Sequence, residues 1–299
     1  MKDFLFKSPT KVKFGAGISF QLYEIFEEMG AKKPFIVTGK HVGKTDEFAK
    51  IIASLEEKGY SVQLFTDTQP DPPIDVCDAA AQVLKDSGCD VCVAVGGGSV
   101  IDTAKAMCML VTNEGSVKEY LFGGSKTVEN PSLPLIAVPT TAGSGSEVSA
   151  ASVITDEEND IKLSVSHEYL MPKFAVIDPL QQILMPAFIS ATTGIDALKH
   201  AFESYVSLNA NPFSDAYGEM AIRLIGENIR TAVHDPMNLA AREKMAVAST
   251  LAGTAFVNGG LGAVHGISQA MGGVAHVAHG TANSMMLPFV IEKNIPGNL

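Results

Sequence analysis

Asp90-Val91-Cys92-Val93-Ala94-Val95-Gly96-Gly97-Gly98-Ser99-Val100-Ile101-Asp102-Thr103-Ala104 is the stretch on which the fold turns. An apolar, β-branched run reads as a buried strand over Asp90–Val95, three glycines make a tight turn, and a helix follows from Val100 to about Val111. The same alternation extends on both sides. Strands are expected at Lys33–Thr38, Ser61–Phe65 and Leu133–Val138, and helices at Phe48–Lys58 and Asp75–Ser87. Strands alternating with helices predict a mainly parallel sheet covered on both faces. Past about Pro179 the β-branched clusters disappear, and helices are expected at Thr193–Leu208, Ser214–Thr231, Ala240–Phe256 and Ala263–Met271. The expectation is an α/β unit over residues 1–180 and an all-helical unit over 181–299.

With 299 residues, 46% of them apolar, the chain can bury a large core. A net charge of −11 argues against a nucleic-acid partner, because phosphate neutralisation needs clustered Lys and Arg. Met245 to Ile291 contains no Asp, Glu, Lys or Arg. Asn258, Gln269 and paired glycines interrupt it, so it reads as buried core rather than a membrane span. No secretory leader is evident at the N-terminus. Cys89 and Cys92 form a CxxC whose side chains point to opposite faces of a strand, and no second pair completes a zinc site. The four cysteines therefore read as packing residues in a reducing, cytoplasmic setting.

Gly97, Gly98 and Ser99 precede a helix N-terminus, where backbone N–H groups can meet a phosphate; an ordinary tight turn is the alternative. A second strand end, Leu133–Val138, runs into Pro139-Thr140-Thr141-Ala142-Gly143-Ser144-Gly145-Ser146. Two such loops at strand ends favour a dinucleotide. In the helical half, Asp196 and His200 lie four apart on one helix face, which is also what a surface ion pair would look like. His265, His276 and His279 fall inside the charge-free segment, where buried imidazoles lack local partners. A carboxylate with two or three imidazoles suits Fe(2+) or Zn(2+). The pair Gly272-Gly273 is expected to break the helix after His265 and so let His265 and His279 meet.

GGGSVIDTAKA at 96–106, PTTAGSGSEVS at 139–149, GIDALKHAFESYVS at 194–207, and GLGAVHGISQAMGG with AHGTANSMMLP across 260–288 together resemble the iron-containing (group III) alcohol dehydrogenases. The resemblance runs along essentially the whole chain. It implies a dehydroquinate-synthase-like architecture: an α/β dinucleotide-binding domain, a helical domain and a metal in the cleft between them. It also implies an enzyme that moves hydride between NAD(H) or NADP(H) and a small-molecule alcohol, aldehyde or ketone, working as a homodimer or other homo-oligomer. Metal ligands are implied at Asp196, His200, His265 and His279. Cofactor contacts are implied at Gly97, Gly98, Ser99, Thr140, Thr141, Ser144, Val153 and Lys162, with Asp71 and Asp102 at further positions lining the site. Departures from the family occur at Gly39, where NAD-preferring members often carry Asp, and at Gln269, where many carry His. Members also continue beyond this length, so distal helices of the second unit are expected to be absent. Zinc-dependent glycerol-dehydrogenase-like or dehydroquinate-synthase-like enzymes, or a non-catalytic nucleotide-binding relative, are the rival readings.

Overall fold

A computed structural model describes residues 3–295, so the last four positions of the expected helical unit lie outside the described residues. Six strands form one sheet: β1 (Lys11–Phe14), β2 (Pro34–Thr38), β3 (Gln63–Phe65), β4 (Val91–Gly96), β5 (Leu135–Pro139) and β8 (Phe174–Ile177). Their spatial order is β1-β8-β5-β4-β2-β3, and every pairing is parallel. β6 (Ala151–Asp156) and β7 (Ile161–Ser166) make a separate antiparallel hairpin.

The sheet is buried on both faces, and β4 shows how. Val91, Val93 and Val95 pack with α1 (Leu22–Met29) and α2 (Asp46–Glu57) through Leu22, Phe26, Ile51 and Leu55. Cys92 and Ala94 face the other way, onto α3 (Ile74–Ser87) and α4 (Gly98–Thr112) through Cys77, Leu84, Ile101 and Ala104. Both faces need apolar residues, so the run shows no polar alternation. The four cysteines are free, as expected of packing residues.

Five helices follow: α5 (Ala187–Tyr205), α6 (Pro212–His234), α7 (Leu239–Gly259), α8 (Ala263–Ala275) and α9 (His279–Asn294). Asn211 caps α6 with Pro212 at its first turn, which converts an apparent loop dipeptide into a helix start. The charge-free segment is most of α7, all of α8 and most of α9, and α7 is largely buried. Among the described residues no single helix is long and apolar enough to cross a membrane; α7 and α8 pass that test only jointly, across a 104° bend.

One local expectation is overturned. Gly272 and Gly273 do not break α8; both are helical and buried. A Cβ on Gly273 would lie 2.7 Å from the Asp160 carbonyl oxygen, so the pair lets the helix press against the β6–β7 hairpin. The turn between α8 and α9 comes later, where His276 adopts a left-handed conformation with φ 52°.

Candidate active site

The loops leaving β2, β3, β4 and β5 all open at the same edge of the sheet, the C-terminal edge at which open α/β sheets bind ligands. β4 passes into α4 without room for side chains. A Cβ on Gly96 would sit 2.5 Å from the Val100 Cβ, and one on Gly98 would sit 2.9 Å from the Ser144 Oγ. Gly97 faces Thr141 in the same way, and the Thr140 N–H donates to the Gly96 carbonyl at 3.0 Å. The glycine turn and the serine-rich loop therefore form one surface over the start of α4.

Asp71, in the loop after β3, holds a left-handed backbone with φ 49°. Its N–H donates to the Ser99 Oγ at 3.3 Å, and its carboxylate lies 2.6 Å from the Lys162 Nζ on β7. Gly39, just past β2, bridges to Asp67, and Asp67 pairs with Lys40 at 3.1 Å. Gly39, Asp71, Gly97, Gly98, Ser99, Thr140, Thr141, Ser144 and Lys162 thus gather on one rim.

Asp102 and Val153 are joined to each other beneath this rim. One Asp102 carboxylate oxygen accepts from the Ser146 hydroxyl and the other from the Val153 N–H at 3.1 Å. The carboxylate thereby ties α4 to the serine loop and the hairpin. Beside it the buried Lys105 donates to Ser146 Oγ, Ser149 Oγ and the Ala151 carbonyl at 2.8–3.1 Å. Burial pushes Lys105 down to about 8, and burial raises Asp102 and Glu147. Glu147 accepts from the Thr250 hydroxyl of α7 at 2.9 Å, so the network reaches the helical half.

A second cluster stands against the first. Asp196 and His200 lie on α5, His265 in the first turn of α8 and His279 at the first position of α9. Asp196 Oδ1 is 3.6 Å from His200 Nε2 and 3.7 Å from His279 Nε2. The His265 ring centroid is 6.0 Å from that of His200 and 5.2 Å from that of His279. His200 Nδ1 faces the Gly143 carbonyl at 3.2 Å. A carbonyl only accepts, so Nδ1 carries the proton and Nε2 presents a lone pair. Burial pushes His200 down to about 3 and also lowers His265 and His279, which leaves three neutral imidazoles. Burial alone would raise Asp196, but its neighbours when charged, His200 first and then Lys199, outweigh it and hold the carboxylate well below its usual range; with the imidazoles neutral, the Lys199 ammonium is the cation beside it.

A lone pair on His200 thus confronts a carboxylate oxygen. Two acceptors in apposition, with the buried His279 Nδ1 lacking a partner among the described residues, are donors suited to a cation. Ligands ~2.1 Å from a shared ion in tetrahedral geometry stand ~3.4 Å apart, close to the spacing seen. Among the described residues no group of three or more His, Cys, Asp or Glu is gathered tightly enough to hold an ion. The donor chemistry, one carboxylate with three imidazoles, fits such an ion.

Three further residues belong to this cluster, and sequence reasoning missed them. Asn283 Nδ2 donates to Asp196 Oδ1 at 2.7 Å. The Glu203 carboxylate accepts from the N–H groups of Val264 and His265 at 2.7 and 3.2 Å, capping α8 from across the interface. Lys199, fully buried, places Nζ 3.0 Å from His265 Nδ1 and 3.3 Å from Asp196 Oδ1. Their signal was the spacing of Lys199 and Glu203 from Asp196, three and seven residues along one helical stripe. Gln269 is half-buried one turn beyond His265, and His276 is exposed at the end of α8.

Comparison with known proteins adds to this geometry. The family model described as iron-containing alcohol dehydrogenase matches residues 9–179, and that of the Fe-containing alcohol dehydrogenase family C-terminal part matches residues 190–298. The chain is 40% identical over 284 residues to long-chain-alcohol dehydrogenase 1 of Geobacillus thermodenitrificans, covering 95% of this chain and 71% of that one. The crystal structure of a 1,3-propanediol oxidoreductase superposes with TM-score 0.94 at 39% identity, covering 99% of this chain and 77% of the other. The sulfoacetaldehyde reductase of Bifidobacterium kashiwanohense, in complex with NAD+, superposes with TM-score 0.92 at 31% identity, covering 98% and 77%. A parallel-sheet domain joined to a helical one, with matches along both, makes this chain a member of the iron-containing alcohol dehydrogenase family.

Proposed function

We propose that the chain is a nicotinamide-linked alcohol dehydrogenase that holds Fe(2+) through Asp196, His200, His265 and His279 and acts on a small alcohol and its aldehyde or ketone. The observation that carries this reading is the His200 imidazole. Its Nδ1–H is spent on Gly143, in the serine-rich loop, and its Nε2 lone pair faces Asp196. One residue thereby links the dinucleotide rim to the donor cluster. Zinc suits the same donors. When bound, the metal would supply Lewis acidity toward the substrate oxygen and the nicotinamide would supply hydride chemistry.

The protein's own part is positioning. The N–H groups of Gly97–Ser99 at the start of α4 receive the dinucleotide diphosphate, with Thr140, Thr141 and Ser144 beside them. Asp102 and Lys105 fix the serine loop from beneath and act at one remove from the ligand. Glu203 and Asn283 orient His265 and Asp196. Gln269, one turn from His265, is a hydrogen-bonding residue at the substrate end.

NAD(H) is the expected cofactor, in keeping with the NAD+ complex of a similar structure. Acceptance of NADP(H) is also proposed, because Gly39 puts no carboxylate beside the ribose. The Lys40–Asp67 ion pair opposes a strong preference for it, since Asp67 already engages the nearest cation. Residues 1–180 and 181–299 are read as the two functional units, a homodimer as the assembly and the cytoplasm as the compartment. Metal-stripped protein should be inactive and recover with Fe(2+), whereas His265→Ala should recover nothing while keeping its circular dichroism. Undiminished turnover in rigorously stripped protein would defeat the reading.

A further inference from the structure

Lys199 is a cation in a place that the proposed metal would use. Its side chain is wholly buried, and its ammonium lies 3.3 Å from Asp196 Oδ1 and 3.0 Å from His265 Nδ1, two of the four proposed ligands. His265 cannot serve as a ligand while an ammonium holds this contact. If it binds an ion through Nδ1, the ammonium occupies that lone pair. If it binds through Nε2, then Nδ1 must carry the ring proton, and a proton there cannot face an ammonium donor. In either geometry Lys199 cannot stay where it is as an ammonium.

The structure offers it a destination. Glu203 lies one turn further along the same face of α5 and is buried within electrostatic reach of Lys199. Its two oxygens already accept from α8 N–H groups, and each carboxylate oxygen has a second lone pair for a further donor. A flexible four-carbon stem allows the swing without moving the helix.

We propose that Lys199 is a resident counter-cation of the ligand set: it pairs with Asp196 and occupies the His265 Nδ1 lone pair when no metal is bound, must as an ammonium be displaced on loading, and so sets the metal affinity of the site. This rests on the metal-site reading above. An ordinary buried ion-pair lysine would stabilise the fold without opposing a second cation; this one competes for the same lone pairs.

The test uses the full chain, stripped of metal and titrated with Zn(2+) or Co(2+) alone against a chromophoric competitor. Lys199→Met should bind about tenfold tighter or more, the scale on which residues contacting metal ligands act. Lys199→Gln, which keeps a donor but no charge, should shift affinity in the same direction, and guards against misfolding of the methionine variant. In thermal melts the metal-free variants should fall below wild type, while their metal-induced rise in Tm should exceed it. Equal or weaker binding in both variants, with Asp196→Ala abolishing it, would overturn the role of Lys199 and leave the metal site standing. Absence of Asp196-dependent binding in every chain would overturn the metal site, and this proposal with it.

Discussion

Gly145→Ala tests whether the serine-rich loop is seated by backbone contact on the helical half. Gly145 sits at φ 63°, ψ 17°, and a Cβ there would fall 2.6 Å from Gly253 Cα on α7, with Gly253 N and Phe256 Cε1 both at 3.3 Å. The nearest obstacle is backbone, which cannot rotate aside. Placing alanine in the left-handed region costs ~1–2 kcal/mol. Relieving the contact by shifting loop against helix adds ~1–3 kcal/mol. The sum, ~2–5 kcal/mol, is a large share of the ~5–15 kcal/mol of a typical domain. Urea unfolding followed by circular dichroism measures it, with Gly226→Ala as the control. Gly226 is an exposed interior position of α6 with nothing within 4 Å of a new Cβ, and alanine there should stabilise by ~0.5–1 kcal/mol. Under conditions where both variants are folded, Gly145→Ala should also bind dinucleotide more weakly, because Thr141 and Ser144 would shift off Gly97 and Gly98. A Gly145→Ala protein as stable as wild type would refute the argument.

Lys105→Met probes the buried network at the base of the same loop. Folded Lys105 releases its proton near pH 8 and unfolded lysine near 10.5, so between these the unfolded chain binds more protons and wild-type stability should rise with pH. The methionine variant should lack that rise, and parallel stability–pH curves would exclude it. Gly39→Asp should shift kcat/KM toward NAD(H); the new Cβ meets only Thr68 and Val100 at ordinary contact distances, so folding should be unaffected. Asp67→Ala should move selectivity the opposite way by freeing Lys40, and unchanged cofactor ratios in both variants would discard the rim assignment. Gln269→His should add an ionisation near pH ~6–7 to the kcat/KM profile. His276→Ala, at an exposed helix end, should leave it unaltered. Coincident profiles for Gln269→His and wild type would mean that position 269 handles no protons.

The β4–glycine–α4 unit was legible because a strand buried on both faces writes itself as an uninterrupted apolar run, and the glycines are dictated by contacts as close as 2.5 Å. β1 was not legible: Lys11-Val12-Lys13-Phe14 is an edge strand whose lysines and exposed apolar residues carry no burial signal. The β6–β7 hairpin was missed because its strands mix buried residues with part-exposed polar ones such as Lys162 and Ser164, and β8 because it has only four residues. Gly272 and Gly273 misled because a helix-breaking composition and a tight helix–hairpin contact call for the same residue. In the donor cluster, Asp196, His200, His265 and His279 were singled out through the family resemblance, and spacing alone had left a surface pair open. Lys199 and Glu203 escaped because charged residues on a helix ordinarily face water. Only the docking of α8 and α9 on α5 turns that stripe inward.

The cap on α8 has a consequence for how the protein comes into being. Gly262 precedes the helix and has no side chain with which to start it; the carboxylate that receives its first N–H groups belongs to Glu203, 61 residues earlier. The first turn of α8, and with it the orientation of His265, is therefore not encoded locally. In a chain emerging in order from synthesis, α5 exists before its partner, yet His200 and His265 cannot be aligned until the later helix has docked. The proposed ability to capture a metal is thus a property of the assembled tertiary structure, and a half-made chain does not acquire it early.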